Sequence, residues 1–314
     1  MSFTIRPFVP ADYEATAHTG TLAYEFPLDV EQMRYDDEHR DPRCKHAWWS
    51  AEVDGQLVGG AGYFQFLGSY HPRKFVLDGW VSPAYQGSGI GRALFETVMA
   101  GLEPFEPLSV RASAREHMPW SIRFLTQRGF TEAMRSWESV IDLTGFTPTL
   151  YGETPPPGVT IASYAALRQT EPDLERRVYD LVTTTRLDMP SHQPLTTMEF
   201  EAWREKILSD PYFMPEAYFI AIQGDRYVGL STLWRTAEQG KLHTGFTGVR
   251  RECRGGGIAL ALKVHALAWA KQQGYKEVET FNATTNGPML HINERLGFVR
   301  QPAWIEYIKV LRSE

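Results

Sequence analysis

The sequence has few cysteines and no long apolar run, and each shortage excludes a class of protein. Its 314 residues contain two cysteines, Cys44 and Cys253, one in each half, which argues against a disulfide framework. No stretch approaches the roughly 20 apolar residues of a membrane span. Residues 1–8 lack the apolar run of a signal peptide. We therefore expect a cytoplasmic protein with no membrane partner.

The chain also lacks an excess of basic residues. It has 32 lysines and arginines against 38 acidic residues, a formal charge of −6. A general nucleic-acid surface needs a basic excess, so we expect no nucleic-acid partner. The balance leaves a neutral or cationic small substrate open.

A glycine-rich stretch, residues 80–95, organises the first half of the chain. It reads as the end of a strand, a short loop and the start of a helix. Gly87, Gly89 and Gly91 carry no Cβ, so the backbone N–H groups around them can approach a ligand closely. A helix that begins near Gly89 directs unpaired N–H groups and its positive dipole end to the same point. The stretch predicts a site for a diphosphate.

The second half repeats this stretch at residues 247–262. Val81 corresponds to Val249, and Gly129-Phe130 corresponds to Gly297-Phe298 at the same offset. Composition alone does not produce such a register, so the chain is a tandem duplication.

A run of three prolines within Thr154–Gly158 marks the border between the repeats, because it can continue neither a strand nor a helix. It predicts domains at residues 1–152 and 158–314. Within each half, apolar periodicity and turn residues predict strands interleaved with helices, hence a mixed α/β layer. The main predicted elements are hairpins at Asp54-Gly55 and Gly224-Asp225, strands 74–81 and 241–249 before the loops, helices 89–102 and 257–273 after them, and last strands 131–142 and 300–311.

Both loops match the signature Q/R-x-x-G-x-G/A, in Gln86–Gly91 and in Arg254–Ala259. In this the chain resembles the GNAT (GCN5-related N-acetyltransferase) superfamily. The second copy is similar to the mycothiol synthase-like two-domain members. The resemblance implies two tandem domains, each a mixed, mostly antiparallel sheet that splays at the cofactor strand and is flanked by helices. It also implies acyl-CoA-dependent N-acylation without a metal. The residues implied to bind the cofactor are Val81, Gln86, Gly87, Ser88, Gly89, Gly91, Arg92, Val249, Arg254, Gly255, Gly256, Gly257, Ala259 and Asn286.

Polar residues of the family's N-x-x-A-x-x-x-Y helix occur in the second copy. Asn286 falls on the Asn that bonds the pantetheine arm, and Asn293 falls on the Tyr near the sulfur. An asparagine can donate a hydrogen bond but cannot give up a proton. The first copy has Met118 and Leu125 at these positions. The second copy is therefore expected to be catalytic, and a helix N-cap is the structural alternative for Asn286.

Histone-type members of the family carry a Glu as catalytic base six positions before the Val of the loop, and this position falls on His243 in the second copy and on Phe75 in the first. An imidazole near its ordinary pKa can accept a proton at neutral pH. In a regular strand His243 would share a face with Val249, whereas Asp78 would face away from Val81. A structural histidine is the alternative. Asp188–Pro190 is interpreted as a helix-ending turn, with a place beside the substrate cleft as its alternative.

These features predict an N-acyltransferase that uses acetyl-CoA or another acyl-CoA. The expected partner is a small-molecule primary amine, which attacks the thioester directly, and the expected state is a monomer or a homodimer. A non-catalytic acyl-CoA sensor or scaffold is the alternative. A dinucleotide-binding oxidoreductase is disfavoured because Arg92 stands where its G-x-G-x-x-G motif needs glycine.

Overall fold

The computed structural model describes residues 2–152 and 154–313. The elements in chain order are β1 (Thr4–Pro7), α1 (Tyr13–Tyr24), α2 (Val30–Glu38), β2 (Ala47–Val53), β3 (Gln56–Phe64), β4 (Lys74–Val81), α3 (Ile90–Leu102), β5 (Ser109–Arg115), α4 (Pro119–Thr126), β6 (Thr131–Asp142), β7 (Val159–Ser163), α5 (Tyr164–Leu167), α6 (Leu174–Arg186), α7 (Phe200–Leu208), β8 (Tyr218–Gln223), β9 (Arg226–Arg235), β10 (Lys241–Val249), α8 (Ile258–Gln272), β11 (Glu277–Ala283), α9 (Gly287–Leu296), β12 (Val299–Arg300) and β13 (Trp304–Val310).

The chain divides into two compact units. The N-terminal unit comprises Met1–Met134, Gln193–Thr196 and Ile305–Glu314, and the C-terminal unit comprises Arg135–His192 and Thr197–Trp304. Each unit contains one glycine loop, and each is a mixed sheet with flanking helices, as the fold class predicts.

The sheet of the N-terminal unit has the order β1-β2-β3-β4-β5-β13. Strands β1 to β4 pair antiparallel, and β4 pairs parallel with β5. The β2–β3 hairpin turns at Asp54-Gly55, where both residues have positive φ, as a type I′ turn requires. Helix α3 covers one face with the stripe that its periodicity predicts, Ile90, Leu94, Val98 and Leu102, all buried.

The sheet of the C-terminal unit has the order β6-β11-β10-β9-β8-β7, with β12 paired to β6. Only β10 and β11 run parallel among these pairs. Leu262 of α8 belongs to one buried core together with Leu242 and Val278. Leu181 of α6 and Trp203 of α7 belong to a second buried core. The sheet is therefore packed on two faces.

The compact units do not coincide with the sequence repeats. Strand β6 ends the first repeat, yet it pairs with β11 of the C-terminal unit over Ser136–Asp142. Strand β13 ends the second repeat, yet from Ile305 onward it belongs to the N-terminal unit. The predicted last strand, 300–311, is accordingly interrupted at Pro302 and divided into β12 and β13. The border at residues 154–158 stays a prediction about the sequence repeats. The contacts within the fold place most of β6 and β13 in the unit that does not correspond to their own repeat.

Each cofactor strand separates from its parallel neighbour, as the resemblance implies. Strand β4 pairs with β5 only over Lys74–Val76, and β10 pairs with β11 only over Lys241–His243. The remaining residues of each cofactor strand, up to Val81 or Val249, make no described ladder pair on that side. A V-shaped opening, here called the splay, therefore precedes each glycine loop.

A β-bulge distinguishes β10 from β4. The register between β10 and β9 shifts between Thr244 and Phe246, which makes Gly245 the extra residue. Strand β4 pairs with β3 without a shift. An extra residue reverses the alternation of side chains. Two residues that are an even number of positions apart, one on each side of the bulge, therefore face opposite sides of the sheet.

The bulge corrects two expectations about His243. Leu242 and Val249 lie in the same core, so His243 faces the opposite side of the sheet from Val249. Counting from Val249 with the extra residue removed, His243 corresponds to Val76 of the first copy and not to Phe75. An ungapped offset cannot show this insertion.

Candidate active site

Each glycine loop turns through left-handed backbone and leads directly into a helix. Gly87 and Gly89 have φ values of +77° and +93°, and Gly255 and Gly257 have +82° and +83°. Gly89 and Gly257 are the N-caps of α3 and α8, and neither helix start has a side-chain cap. The first N–H groups of both helices are therefore available to an external acceptor, and the helix dipole favours an anion there.

Open space surrounds the loop glycines. An added Cβ would meet no atom within 4 Å at Gly87, Gly89 or Gly255, and at Gly257 it would meet only Pro156 Cγ, at 3.8 Å. The positive φ, not crowding by the protein, therefore requires glycine at these positions. The space in front of the loops is free for a ligand.

The first residue of each signature ties its loop to the strand before it. Nε2 of Gln86 donates to the carbonyl of Val81 at 3.2 Å, and Nε of Arg254 donates to the carbonyl of Val249 at 3.0 Å. The same bond occurs in both copies although the residue type differs. Gln86 and Arg254 thus position the loop backbone.

Three further predicted cofactor residues lie on the loops. Ser88 Oγ donates to the carbonyl of Tyr85 at 2.5 Å, which stabilises the first loop. Arg92 is exposed in the first turn of α3, where its charge adds to the positive end of the helix. Gly256 lies exposed between the two left-handed glycines of the second loop.

The last glycine of the first signature allows alanine. A Cβ at Gly91 would lie 3.5 Å from Phe124 and 3.6 Å from Val81, which are ordinary contact distances. Ala259 occupies this position in the second copy. The signature's G/A alternative has a direct steric explanation here.

An acidic side chain, Asp188, contacts the glycine loop of the C-terminal unit. Asp188 accepts hydrogen bonds from Arg251 and, at 2.6 Å, from Nη2 of Arg254. These bonds hold the pKa of Asp188 below its ordinary value. Its N–H donates to Thr185 at 3.4 Å, so the residue belongs to the turn that ends α6, as the sequence indicates. The two ion pairs place this turn beside the cofactor loop.

Asn286 and Asn293 have different roles in α9. The Asn286 side chain accepts the N–H of Met289 at 3.4 Å and is the N-cap of the helix. Asn293 is 2% exposed, and its Nδ2 donates to Oδ1 of Asn282 at 2.7 Å. Its Oδ1 is buried and has no partner among the described residues. Asn282 was missed by the sequence reasoning, although it follows the buried Thr280 at strand spacing.

His243 lies beside an acid that the sequence reasoning also missed. Its Nδ1 is 3.7 Å from Oε1 of Glu279 on β11 and, among the described residues, makes no hydrogen bond. Lys241 approaches the same carboxylate at 2.9 Å. Burial, Lys263 and Lys241 together lower the pKa of His243 to about 4. The imidazole is therefore neutral at pH 7, and its basicity is lower than the sequence suggests.

Lys263 is a buried cation of the cofactor helix. It is 2% exposed, its Nζ lies 4.9 Å from the ring centre of Phe298, and burial lowers its pKa to about 7. The first copy has Phe95 at the same offset, packed edge-on against Phe130 at 6.3 Å. The sequence does contain a signal for Lys263, because a lysine stands in the second copy where the first copy has an apolar phenylalanine.

The corresponding positions of the first copy are apolar and buried. Met118 precedes α4 and is 5% exposed, and Leu125 lies in the core with Phe75. None of the three can donate or accept a proton. The copies therefore differ at these positions, as the sequence predicts.

Within residues 2–152 and 154–313, no group of three or more His, Cys, Asp or Glu side chains is arranged to hold a metal ion. In the same part of the chain, no helix has both the length and the apolar character that crossing a membrane requires.

Known proteins share both the sequence pattern and the fold. A mycothiol acetyltransferase from Actinosynnema mirum is 25% identical, over 82% of this chain and 82% of its own. One from Salinispora tropica is 27% identical, over 86% of each chain. The GCN5-related N-acetyltransferase from Sphaerobacter thermophilus superposes with a TM-score of 0.77, at 25% identity, over 99% of this chain and 96% of that chain. A tandem GNAT protein from the clavulanic acid biosynthesis pathway shares the fold, with a TM-score of 0.76, 17% identity and full coverage of both chains.

The family model described as the acetyltransferase (GNAT) family matches the sequence twice, over residues 13–130 and 177–298. Each match contains one glycine loop and the helix that follows it. The chain therefore belongs to the acetyltransferase (GNAT) family, as a tandem-domain N-acetyltransferase with an acyl-CoA-binding fold.

Proposed function

We propose that this protein transfers an acetyl group from acetyl-CoA to a primary amine of a small molecule, and that the C-terminal unit performs the reaction. The observation that carries this proposal is the buried Oδ1 of Asn293, which has no hydrogen-bond partner in the part of the chain that the structure describes. Buried polar atoms are nearly always hydrogen-bonded, so an unpaired one needs an explanation. An amide N–H of the pantetheine arm would satisfy it.

The glycine loops fit the diphosphate of CoA. The free N–H groups at the starts of α3 and α8 would donate to its oxygens, with Arg92 adding charge beside the first loop. When bound, acetyl-CoA supplies an acyl group activated as a thioester. Because both loops keep this geometry, we propose between one and two CoA sites per chain.

The residues around His243 would handle the amine proton. An amine arrives protonated and must lose a proton before it attacks the thioester carbon. His243 is held neutral by burial and by two lysines, so it can accept a hydrogen bond from the amine or from a bridging water. Its low pKa makes it a relay to solvent and not a lasting proton store. Glu279 lies beside the ring and would stabilise the transient imidazolium.

The acceptor class that we propose is wider than the one that the relatives' names give. The relatives from Actinosynnema mirum and Salinispora tropica are named mycothiol acetyltransferases, and we propose for this chain the wider class of small primary amines. The acidic composition suits a substrate that carries an ammonium group. We propose a monomer or a homodimer.

The test is release of free CoA thiol from acetyl-CoA across a panel of primary amines, with the matching alcohols as controls. We expect amine-dependent release with at least one amine, and slower release at subsaturating acetyl-CoA in Asn293→Leu. Tight CoA binding without release for any amine would instead support an acyl-CoA sensor or scaffold.

A further inference from the structure

A hydrogen-bonded tyrosine–aspartate pair lies in the splay of the N-terminal unit. Tyr24, the last residue of α1, donates its O–H to Oδ1 of Asp78 at 2.8 Å, and the N–H of Gly79 donates to the same oxygen at 2.8 Å. Asp78 is two residues beyond Val76, where pairing with β5 ends, and three residues before Val81. The carboxylate is therefore on the cofactor strand, inside the opening.

The end of α1 contacts both sides of this opening. Tyr24 reaches β4 through Asp78, while the next residue, Glu25, lies 2.8 Å from Nε2 of His117, just after β5. Glu25 itself has left-handed backbone, with φ +62°. As the C-cap of α1 it has the conformation in which helices commonly end. The helix end thus bounds a recess between the two strands.

The recess presents one free acceptor and one aromatic wall. Both hydrogen bonds of Asp78 go to Oδ1, so Oδ2 accepts none from any described residue. No lysine or arginine of the described residues pairs with this carboxylate. The ring of Tyr24 stacks on that of Phe26 at 5.4 Å. A carboxylate oxygen beside aromatic faces is the arrangement that binds an organic ammonium group.

The electrostatics of the pair agree with this geometry. Asp78 is exposed to solvent in the recess, yet the surrounding protein raises its pKa, although the bonds from Tyr24 and Gly79 lower it. A carboxylate that is partly desolvated without a cationic partner gains stability when a cation arrives. Burial and Asp78 also raise the pKa of Tyr24, so its hydroxyl stays a donor.

We propose that Asp78 and Tyr24 form a second amine site, which binds the primary ammonium group of a small molecule in the splay of the N-terminal unit. This goes beyond the proposed function, which places the chemistry in the C-terminal unit. The counterpart of Asp78 at the repeat offset is Phe246, which lies after the bulge and is a partly buried residue packed against the second core. The two units therefore present different groups to their acceptors, and the N-terminal unit is more than a structural copy.

The experiment is a calorimetric titration of the full chain with n-butylamine at fixed salt, in the presence of CoA, with 1-butanol as the neutral control. The variants are Asp78→Asn, which is isosteric and still accepts from Tyr24 and Gly79, and Tyr24→Phe, which keeps the carboxylate. Asp54→Asn is the matched control, because it removes an exposed acid of the same unit from a hairpin turn. Thermal melting checks that each variant is folded.

We expect Asp78→Asn to remove one butylamine site per chain or to weaken it at least tenfold. Tyr24→Phe should weaken that site severalfold, and Asp54→Asn should leave it unchanged. Equal binding of butylamine by the wild type and by Asp78→Asn, or equal binding of 1-butanol, would overturn the proposal. If Asp78→Asn does not fold, an unchanged isotherm in Tyr24→Phe would overturn it as well. Because binding is measured without turnover, the result is independent of which unit transfers acetyl groups.

Discussion

Nδ2 of Asn293 donates to Oδ1 of Asn282 at 2.7 Å, and the side-chain carbonyl oxygen of Asn293 is buried without a hydrogen-bond partner among the described residues. An unsatisfied buried carbonyl costs about 1–3 kcal/mol. The first copy has a buried Leu125 at the position that corresponds to Asn293, so the fold accepts an apolar residue at this position. The C-terminal unit therefore retains a destabilising group at the position for which we propose a contact with the cofactor arm.

Asn293→Leu should weaken CoA binding roughly five- to tenfold, since one hydrogen bond contributes about 1 kcal/mol net. Calorimetry with CoA measures the change. Asn282→Ala is the control: it removes the partner of Asn293 but keeps the free oxygen, so its effect on CoA binding should be smaller. Wild-type affinity in Asn293→Leu would show that this oxygen does not contact the cofactor.

The loop glycines predict unequal effects in the two units. Glutamate at Gly89 or Gly257 forces a side chain into left-handed backbone and puts a negative charge at an anion site. We expect Gly257→Glu to abolish turnover and Gly89→Glu to affect mainly stability or substrate affinity, with CoA binding lost in the double variant. Steady-state kinetics and calorimetry measure these effects. Gly274→Glu controls for backbone strain, because Gly274 has φ +87° away from both loops. A larger loss of turnover in Gly89→Glu than in Gly257→Glu would show that the active site lies in the N-terminal unit.

His243→Ala should lower turnover about 10²-fold if the imidazole relays the amine proton. The pKa of about 4 places the corresponding acidic limb of the rate–pH profile near pH 4, well below the ordinary histidine value of 6.5. Between these two values the unfolded chain binds more protons than the folded one, so this residue makes stability fall as pH drops from about 6.5 to about 4. His243→Ala should flatten that part of the stability curve. An unaltered rate and acidic limb would leave His243 a structural residue.

Lys263→Met should stabilise the protein. The folded pKa of about 7 is below the ordinary value of 10.5, so the unfolded chain binds more protons between these values and stability rises with pH across that window. The cost of the lysine is fully present below pH 7 and reaches at most about 5 kcal/mol. Chemical denaturation at pH 7 and pH 10 should show a larger gain at pH 7. Lys276→Met, at an exposed position, should show no such difference. A destabilised Lys263→Met would mean that the ammonium group has a stabilising role.

Local rules sufficed to predict the parts of the fold that depend on neighbours in sequence. The bounds of β4 and β10 match the predicted strands, and the buried stripe of α3 follows its periodicity. The turn at Asp54-Gly55 needs positive φ at two adjacent residues, which this dipeptide favours. The anion-binding shape of the loops also follows from residues that are close in the chain. The family signature supplied the rest of the cofactor prediction.

Features that depend on distant pairing were not predictable in the same way. Gly245 is extra only in relation to β9, so no count along β10 can show the bulge. The low pKa of His243 depends first on burial and then on Lys263, which is on a helix 20 residues away in sequence. Asp78 was assigned to the correct face, yet its partner Tyr24 lies 54 residues earlier. Such relationships arise only when the sheet has assembled.

Strands β6 and β13 each lie in the unit that does not correspond to their own repeat, and this has a consequence for expressing the two repeats as separate fragments. Expression of residues 1–152 alone would give a fragment whose last strand lacks β11, and whose strand β5 lacks its neighbour β13. The complementary fragment would carry β13 away from the sheet that it completes. The two halves of the tandem repeat therefore depend on each other to complete their sheets. Two co-expressed halves should complement each other as a heterodimer, while each one alone should aggregate through its unpaired strand edges.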